Sequence, residues 1–381
     1  MTEASDTPEV RERMNTEARP PFRAEHIGSL LRPGVLLQAR SGVRDGTRSS
    51  DELRQLEDEA ILEAIALQEA VGLEGITDGE FRRHIYFGHF AAAVAGFEEM
   101  EAEMAFRDGS GSSMSYRTDV VAGKLRRVRG IASAEYEFVR AHTSRTPKVT
   151  LPSPGGMHYF RWRRGVSERA YPDVEEFYAD LAGVYREELA DLAELGASYV
   201  QLDDVALALL CDPARRAETV ARGDDPDDLI DRYVELTNAA LADRPDGMVI
   251  GMHFCRGNNQ GKWLGAGSYD YVAERAFSEL DVDAFFLEYD SDRAGTFDAL
   301  RFVPDSKRVV LGLVTSKTAD LEDATDIERR IGEAAEYFPG DHLSLSPQCG
   351  FASVEEGNPL TPSAQREKLE LVVEVAERVW G

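Results

Sequence analysis

MVIGMHFCRGNN, residues 248–259, is an apolar run that ends in a His-x-Cys pair and then breaks into a Gly-Asn turn. Its apolar residues are nearly continuous rather than alternating, as in a strand covered on both faces. His253 and Cys255 are two apart, so a strand carries both on one face. Alone, such a pair reads more readily as a buried histidine beside an inert cysteine. Its meaning depends on whether other strands end the same way.

Seven more runs have this form: 24–30 (AEHIGSL), 75–81 (GITDGEF), 147–154 (PKVTLPSP), 199–207 (YVQLDDVAL), 284–290 (AFFLEYD), 308–316 (RVVLGLVTS) and 343–351 (LSLSPQCGF). Helical patterns lie between them. The clearest is 172–196, with apolar residues at spacings of three and four and a closing glycine. Others cover 51–71, 227–242, 320–337 and 361–379. Strands alternating with helices predict an α/β protein, a single (β/α)8 TIM barrel over residues 21–381. Residues 1–20 read as a loosely tethered polar tail. The second-to-third connection is too long for a simple crossover. Its segments 86–104 and 106–129, around DGSGSS, predict a β-hairpin inserted between strands two and three.

Barrel enzymes build their sites at the C-terminal ends of the strands. There the chain places His26 and Ser29, Asp78 and Glu80, Asp203 and Asp204, His253 and Cys255, Glu288 and Asp290, Thr315 and Ser316, and Cys349. Imidazole, thiolate and carboxylate are the donors zinc prefers. If His253, Cys255, Glu288 and Cys349 meet, they form a metal site. Glu80 and Asp203 suit the cationic amine of a small substrate. Gly28-Ser29 offers N–H groups and a hydroxyl to a carboxylate. Together these describe an α-amino-acid pocket. Cys211 is expected to pack, and the histidines other than His26 and His253 read as surface or supporting residues.

Bulk composition excludes more than it assigns. At 381 residues with 43% hydrophobic content, the chain has ample core. A formal charge of −27 repels a phosphate backbone, so no nucleic-acid partner is expected. No apolar run reaches the roughly 18 residues of a membrane span, and the N-terminus has no apolar signal core. Three widely spaced cysteines argue for a reducing compartment. A cytoplasmic enzyme is the expectation, with homo-oligomerisation left open.

The blocks HIGSLLRP (26–33), TDGEFRR (77–83), YVQLDD (199–204), GMHFCRGNN (251–259), FFLEYDSDRAG (285–295), VVLGLVTSKT (309–318) and LSPQCGFAS (345–353) resemble the catalytic barrel of the cobalamin-independent methionine synthase family, in its short single-barrel branch. The resemblance implies Zn2+ on His253, Cys255, Glu288 and Cys349. It implies a homocysteine pocket at Ile27, Gly28, Ser29, Glu80 and Asp203, with Glu80 and Asp203 carrying catalysis. The implied reaction is methyl transfer from a 5-methyltetrahydrofolate-type donor to the homocysteine thiolate, forming methionine. The alternative is an alkyltransferase like the epoxide–coenzyme M branch, acting on another thiol or electrophile. The resemblance covers the catalytic barrel alone, so no counterpart of the full-length enzymes' additional N-terminal barrel is expected. The chain has Asp203-Asp204-Val205 for their Asp-Glu-Pro, and Val314-Thr315 near the position of their leaving-group histidine.

Overall fold

The computed structural model describes residues 19–106 and 113–381; most of the expected tail and of the DGSGSS turn lies outside them. Among the described residues the strands are β1 Gly75–Ile76, β2 Val94–Ala105, β3 Ser113–Arg127, β4 Thr146–Pro147, β5 Val149–Pro152, β6 Tyr199–Asp204, β7 Val249–Phe254, β8 Ala284–Glu288, β9 Arg308–Val314 and β10 Leu343–Pro347.

A parallel sheet runs in the order β10-β9-β8-β7-β6-β5. Every residue of β5, β6, β8 and β10 is buried, which is why their sequences are runs rather than alternations. β4 precedes β5 by one residue and pairs in parallel with β1. Helices Val174–Glu194, Pro226–Leu241 and Pro362–Trp380 lie within a residue or two of their expected spans. Their starts follow from side-chain caps: Asp173, Asp225 and Thr361 each accept a hydrogen bond from a backbone N–H of the first turn. Helix Ser50–Ala70 opens with a reciprocal Ser49–Glu52 capping box.

The first two expected strands are much reduced. Of 24–30, Ala24 alone forms a parallel bridge, to Leu345, and 75–81 keeps two strand residues. Gly28, Gly79 and Glu80 all have positive φ, so the chain cannot stay extended there. Side chains replace the ladder. Thr77 Oγ1 donates to the Gly28 carbonyl at 2.7 Å, and the Gln68 amide exchanges hydrogen bonds with the Thr77 backbone. β2 and β3 pair antiparallel, and 88–93 of the expected first arm is helical.

A charged clip ties the N-terminal segment to the sheet. The Lys148 ammonium lies 3.0 Å from a Glu25 carboxylate oxygen, both side chains wholly buried. Tyr199 donates to the other Glu25 oxygen at 2.8 Å, and Lys148 sits 4.6 Å from the centre of the Phe286 ring. Removing one member of a buried pair leaves a desolvated charge. Lys148→Met is expected to cost about 3–5 kcal/mol in urea denaturation. The double variant with Glu25→Gln should recover part of that loss; no recovery would show that packing, not charge, is what the single variant loses.

Candidate metal centre

β7, β8 and the turn after β10 deliver His253, Cys255, Glu288 and Cys349 to one place. One donor atom from each lies within 4.8 Å of all the others, and all four side chains are buried. The two sulfurs are 3.6 Å apart, close to the roughly 3.8 Å edge of a tetrahedron with zinc–sulfur bonds of about 2.3 Å. His253 Nε2 is 3.9 Å from Glu288 Oε1.

The surroundings fit a cation. Glu288 Oε1 accepts the Arg256 N–H at 3.1 Å, while buried Oε2 has no hydrogen-bond partner among the described residues. His253 Nδ1 faces Asp203 Oδ1 at 3.1 Å and Nε2 faces the Gln348 carbonyl at 3.2 Å. Both ring nitrogens therefore meet acceptors. Burial opposes the charge of His253, but the Asp203 hydrogen bond and the neighbouring anionic groups prevail, pushing it up to about 9. Cys255 and Cys349 share a sulfur–sulfur hydrogen bond, which draws the Cys349 thiol down and, with burial, pushes Cys255 up. A cation among these atoms takes the place of the protons they share.

Asp203 thus does more than its expected amine-binding role requires: it orients the histidine, as carboxylates commonly do behind metal ligands. Gln201 Nε2 holds the same Asp203 oxygen at 2.7 Å. Gln201 was readable as a partner, since residues two apart on a strand share a face.

A cavity of about 530 Å³ opens onto the cluster, and Ile27, Ser29, Glu80 and Asp203 line it together with His253, Cys255 and Cys349. Gly28 lies behind this wall: a Cβ there would come within 2.8 Å of Thr150 and 3.3 Å of Glu80 Oε1. Ser29 Oγ accepts the Ala352 N–H at 3.3 Å. Glu80 Oε1 accepts from Thr150 Oγ1 at 2.8 Å and lies 3.5 Å from Arg83, whereas buried Oε2 has no hydrogen-bond partner among the described residues. Burial, only partly offset by Arg83, raises Glu80 to about 7.

Other strand-end residues hold the backbone. His26 Nε2 contacts the Gly75 carbonyl, Asp78 accepts the Glu80 N–H, and Asp204 accepts from Ser153 and the Leu207 N–H. Asp290 pairs with Arg293, and Ser316 donates to Gln348. Cys211 is buried, as expected. His84, read from sequence as a surface or supporting residue, lines the cavity with Tyr86, Phe87, Phe160 and Arg161. His84, Tyr86 and Phe87 lie on the long connection after β1, and Phe160 and Arg161 follow a short helix after β5, so no strand period points to them.

A family model described as cobalamin-independent synthase, catalytic domain, matches residues 24–378. The uncharacterised Bacillus subtilis protein YxjH is 39% identical, over 99% of this chain and 100% of its own. A methionine synthase of Pyrococcus abyssi is 25% identical over 85% of each chain. A Listeria monocytogenes structure described as a candidate vitamin-B12-independent methionine synthase superposes with a TM-score of 0.74 at 33% identity, covering 95% of this chain and 98% of that one. The match spans almost the whole chain and includes every block that surrounds the cluster, so the protein belongs to the cobalamin-independent methionine synthase family, in its short single-domain form.

Proposed function

We propose that the chain is a zinc-dependent S-methyltransferase that moves a methyl group from a methylfolate-type donor to homocysteine, forming methionine. The observation that carries this is the meeting of four zinc-type donors at the wall of a cavity that also presents Glu80, Ser29 and Asp203. We place the reaction on a closed (β/α)8 barrel over residues 21–381, with the β2–β3 pair inserted as a hairpin.

His253, Cys255, Glu288 and Cys349 are the residues that would hold the metal. Zinc, when bound, supplies a redox-inert Lewis acid that lowers the pKa of a substrate thiol. The protein's own groups do the positioning. Unpartnered Glu80 Oε2 is placed to receive the substrate ammonium, and Ser29 with its neighbouring N–H groups the carboxylate. Asp203 keeps the His253 ring turned toward the cluster. The rest of the cavity, walled by Tyr86, Phe87 and Phe160, admits the methyl donor. A buried carboxylate oxygen lacking a partner favours an α-amino thiol over coenzyme M, which has no amine.

Complete zinc removal is expected to abolish methionine formation, and re-addition to restore it; full activity in the stripped protein would sink the proposal. Cys349→Ser should lose both bound zinc and turnover, read by metal analysis and product assay. Incubating the zinc-loaded protein and homocysteine with methylfolate, its polyglutamate, methylcobalamin and simple methyl thioethers in turn tests the donor, and methylfolate should yield methionine.

Glu80 makes the thiol affinity depend on pH. Its raised pKa means that a proton competes with the ammonium below about 7. The KM for homocysteine should therefore climb as pH falls through 7. Glu80→Gln should raise KM about 10–100-fold at pH 8, the worth of one charged hydrogen bond, and flatten that limb. An unchanged KM would show that the true thiol carries no α-amine.

A further inference from the structure

Directly after Cys255, the side chain of Arg256 is one of the largest wholly buried groups in the protein, 1% exposed. Its Nε, Nη1 and Nη2 atoms are all buried, and none has a hydrogen-bond partner among the described residues. The guanidinium lies 4.2 Å from the centre of the Tyr269 ring, with Cys211, Tyr289 and Glu288 as its other electrostatic neighbours. A buried guanidinium is ordinarily forked onto a carboxylate. This one is not, although desolvation is costly.

Two independent links join Arg256 to the cluster. Its backbone N–H donates to Glu288 Oε1. The Tyr269 hydroxyl, on the ring it covers, accepts the Glu288 N–H at 3.0 Å and lies 3.4 Å from the Phe254 and Glu288 carbonyls. The residue's carbonyl accepts from the Leu264 and Gly265 N–H groups, which fixes the loop that carries it. Arg256 is absent from the cavity wall, so it stands behind the ligands rather than against the substrate.

We propose that Arg256 is a positioning residue whose guanidinium supplies the counter-charge of the metal centre, while its backbone N–H holds Glu288 Oε1. The inference rests on the metal-centre reading above. Two thiolates and a carboxylate around a divalent cation leave one net negative charge, and an arriving thiolate adds a second. In a dry interior such charge needs a nearby cation. A guanidinium without a carboxylate partner of its own keeps its positive charge available to the cluster.

The test is a zinc competition titration of the full-length chain against a chromophoric chelator, with the cobalt(II) spectrum recorded on adding homocysteine. Arg256→Met, folded by circular dichroism, should bind zinc about 10–100-fold more weakly, the range seen when groups supporting metal ligands are removed. Its cobalt spectrum should also shift less with thiol. Arg256→Lys, which keeps the charge, should remain close to the parent. If the methionine variant does not fold, Arg256→Gln replaces it and is read by the same outcomes. Parent-like zinc affinity in the neutral variant would overturn the proposal, as would equal weakening in the lysine variant. A lowered melting temperature with zinc affinity unchanged would make Arg256 a packing residue and likewise overturn it. A parent protein that binds no zinc would instead sink the metal-centre reading.

Discussion

Crowding of like-charged donors is the constraint on which the rest of the site depends. Two sulfurs and a carboxylate lie within 4.8 Å of one another in the interior. Their anionic forms are compatible there only with positive charge alongside. Protein groups already move that way: His253 is pushed up, Cys349 is drawn down, and the Arg256 guanidinium lies behind Glu288. The same electrostatics that make the cluster costly without a cation make it selective for one. A site of neutral donors would make no such demand for positive charge.

Parallel strands make such crowding geometrically achievable. β7, β8 and β10 belong to one parallel sheet and reach the same rim, where each releases its chain into a turn. Register does the fine placement. Asp203 pairs with His253 across β6 and β7, so the carboxylate stands beside the imidazole it orients. Pro347 departs from the regular ladder with β9, and Gln348 and Cys349 follow immediately, which turns them onto the cluster.

Much of this was legible in the sequence because burial on both faces writes a continuous apolar run. The six strands from β5 to β10 follow that rule, and the four candidate ligand residues stand at or just beyond the ends of β7, β8 and β10. The first two expected strands broke it: glycines and Glu80 take left-handed backbone there, and Thr77 and Gln68 substitute for ladder bonds. A pattern of apolar residues carries no trace of such side-chain replacements. His84 and the aromatic wall were illegible for another reason. They sit on the connection after β1 and just past the short helix after β5, where no strand period predicts which residues face inward. Arg256 adjoined a recognised ligand, yet one residue along a chain leaving a strand does not reveal whether an arginine reaches solvent or turns back into the core.

Glu80 shows how the irregular part serves the regular one. Its φ of 60° is a conformation that non-glycine residues avoid at a cost of about 1–2 kcal/mol. The surroundings hold it there from both sides of the peptide: Asp78 accepts its N–H at 2.8 Å, and Arg32 donates to its carbonyl at 2.8 Å. Arg32 also donates to the Arg83 carbonyl, and Arg83 in turn donates to Thr150, whose hydroxyl donates to Glu80 Oε1. One carboxylate oxygen is thereby fixed and the other left without a partner beside the cavity. An extended Glu80 would leave the β1 ladder free to run on. The interrupted strand is therefore the feature that turns a buried acid toward the cavity, and the loss of regular structure at this corner is part of how the pocket is made.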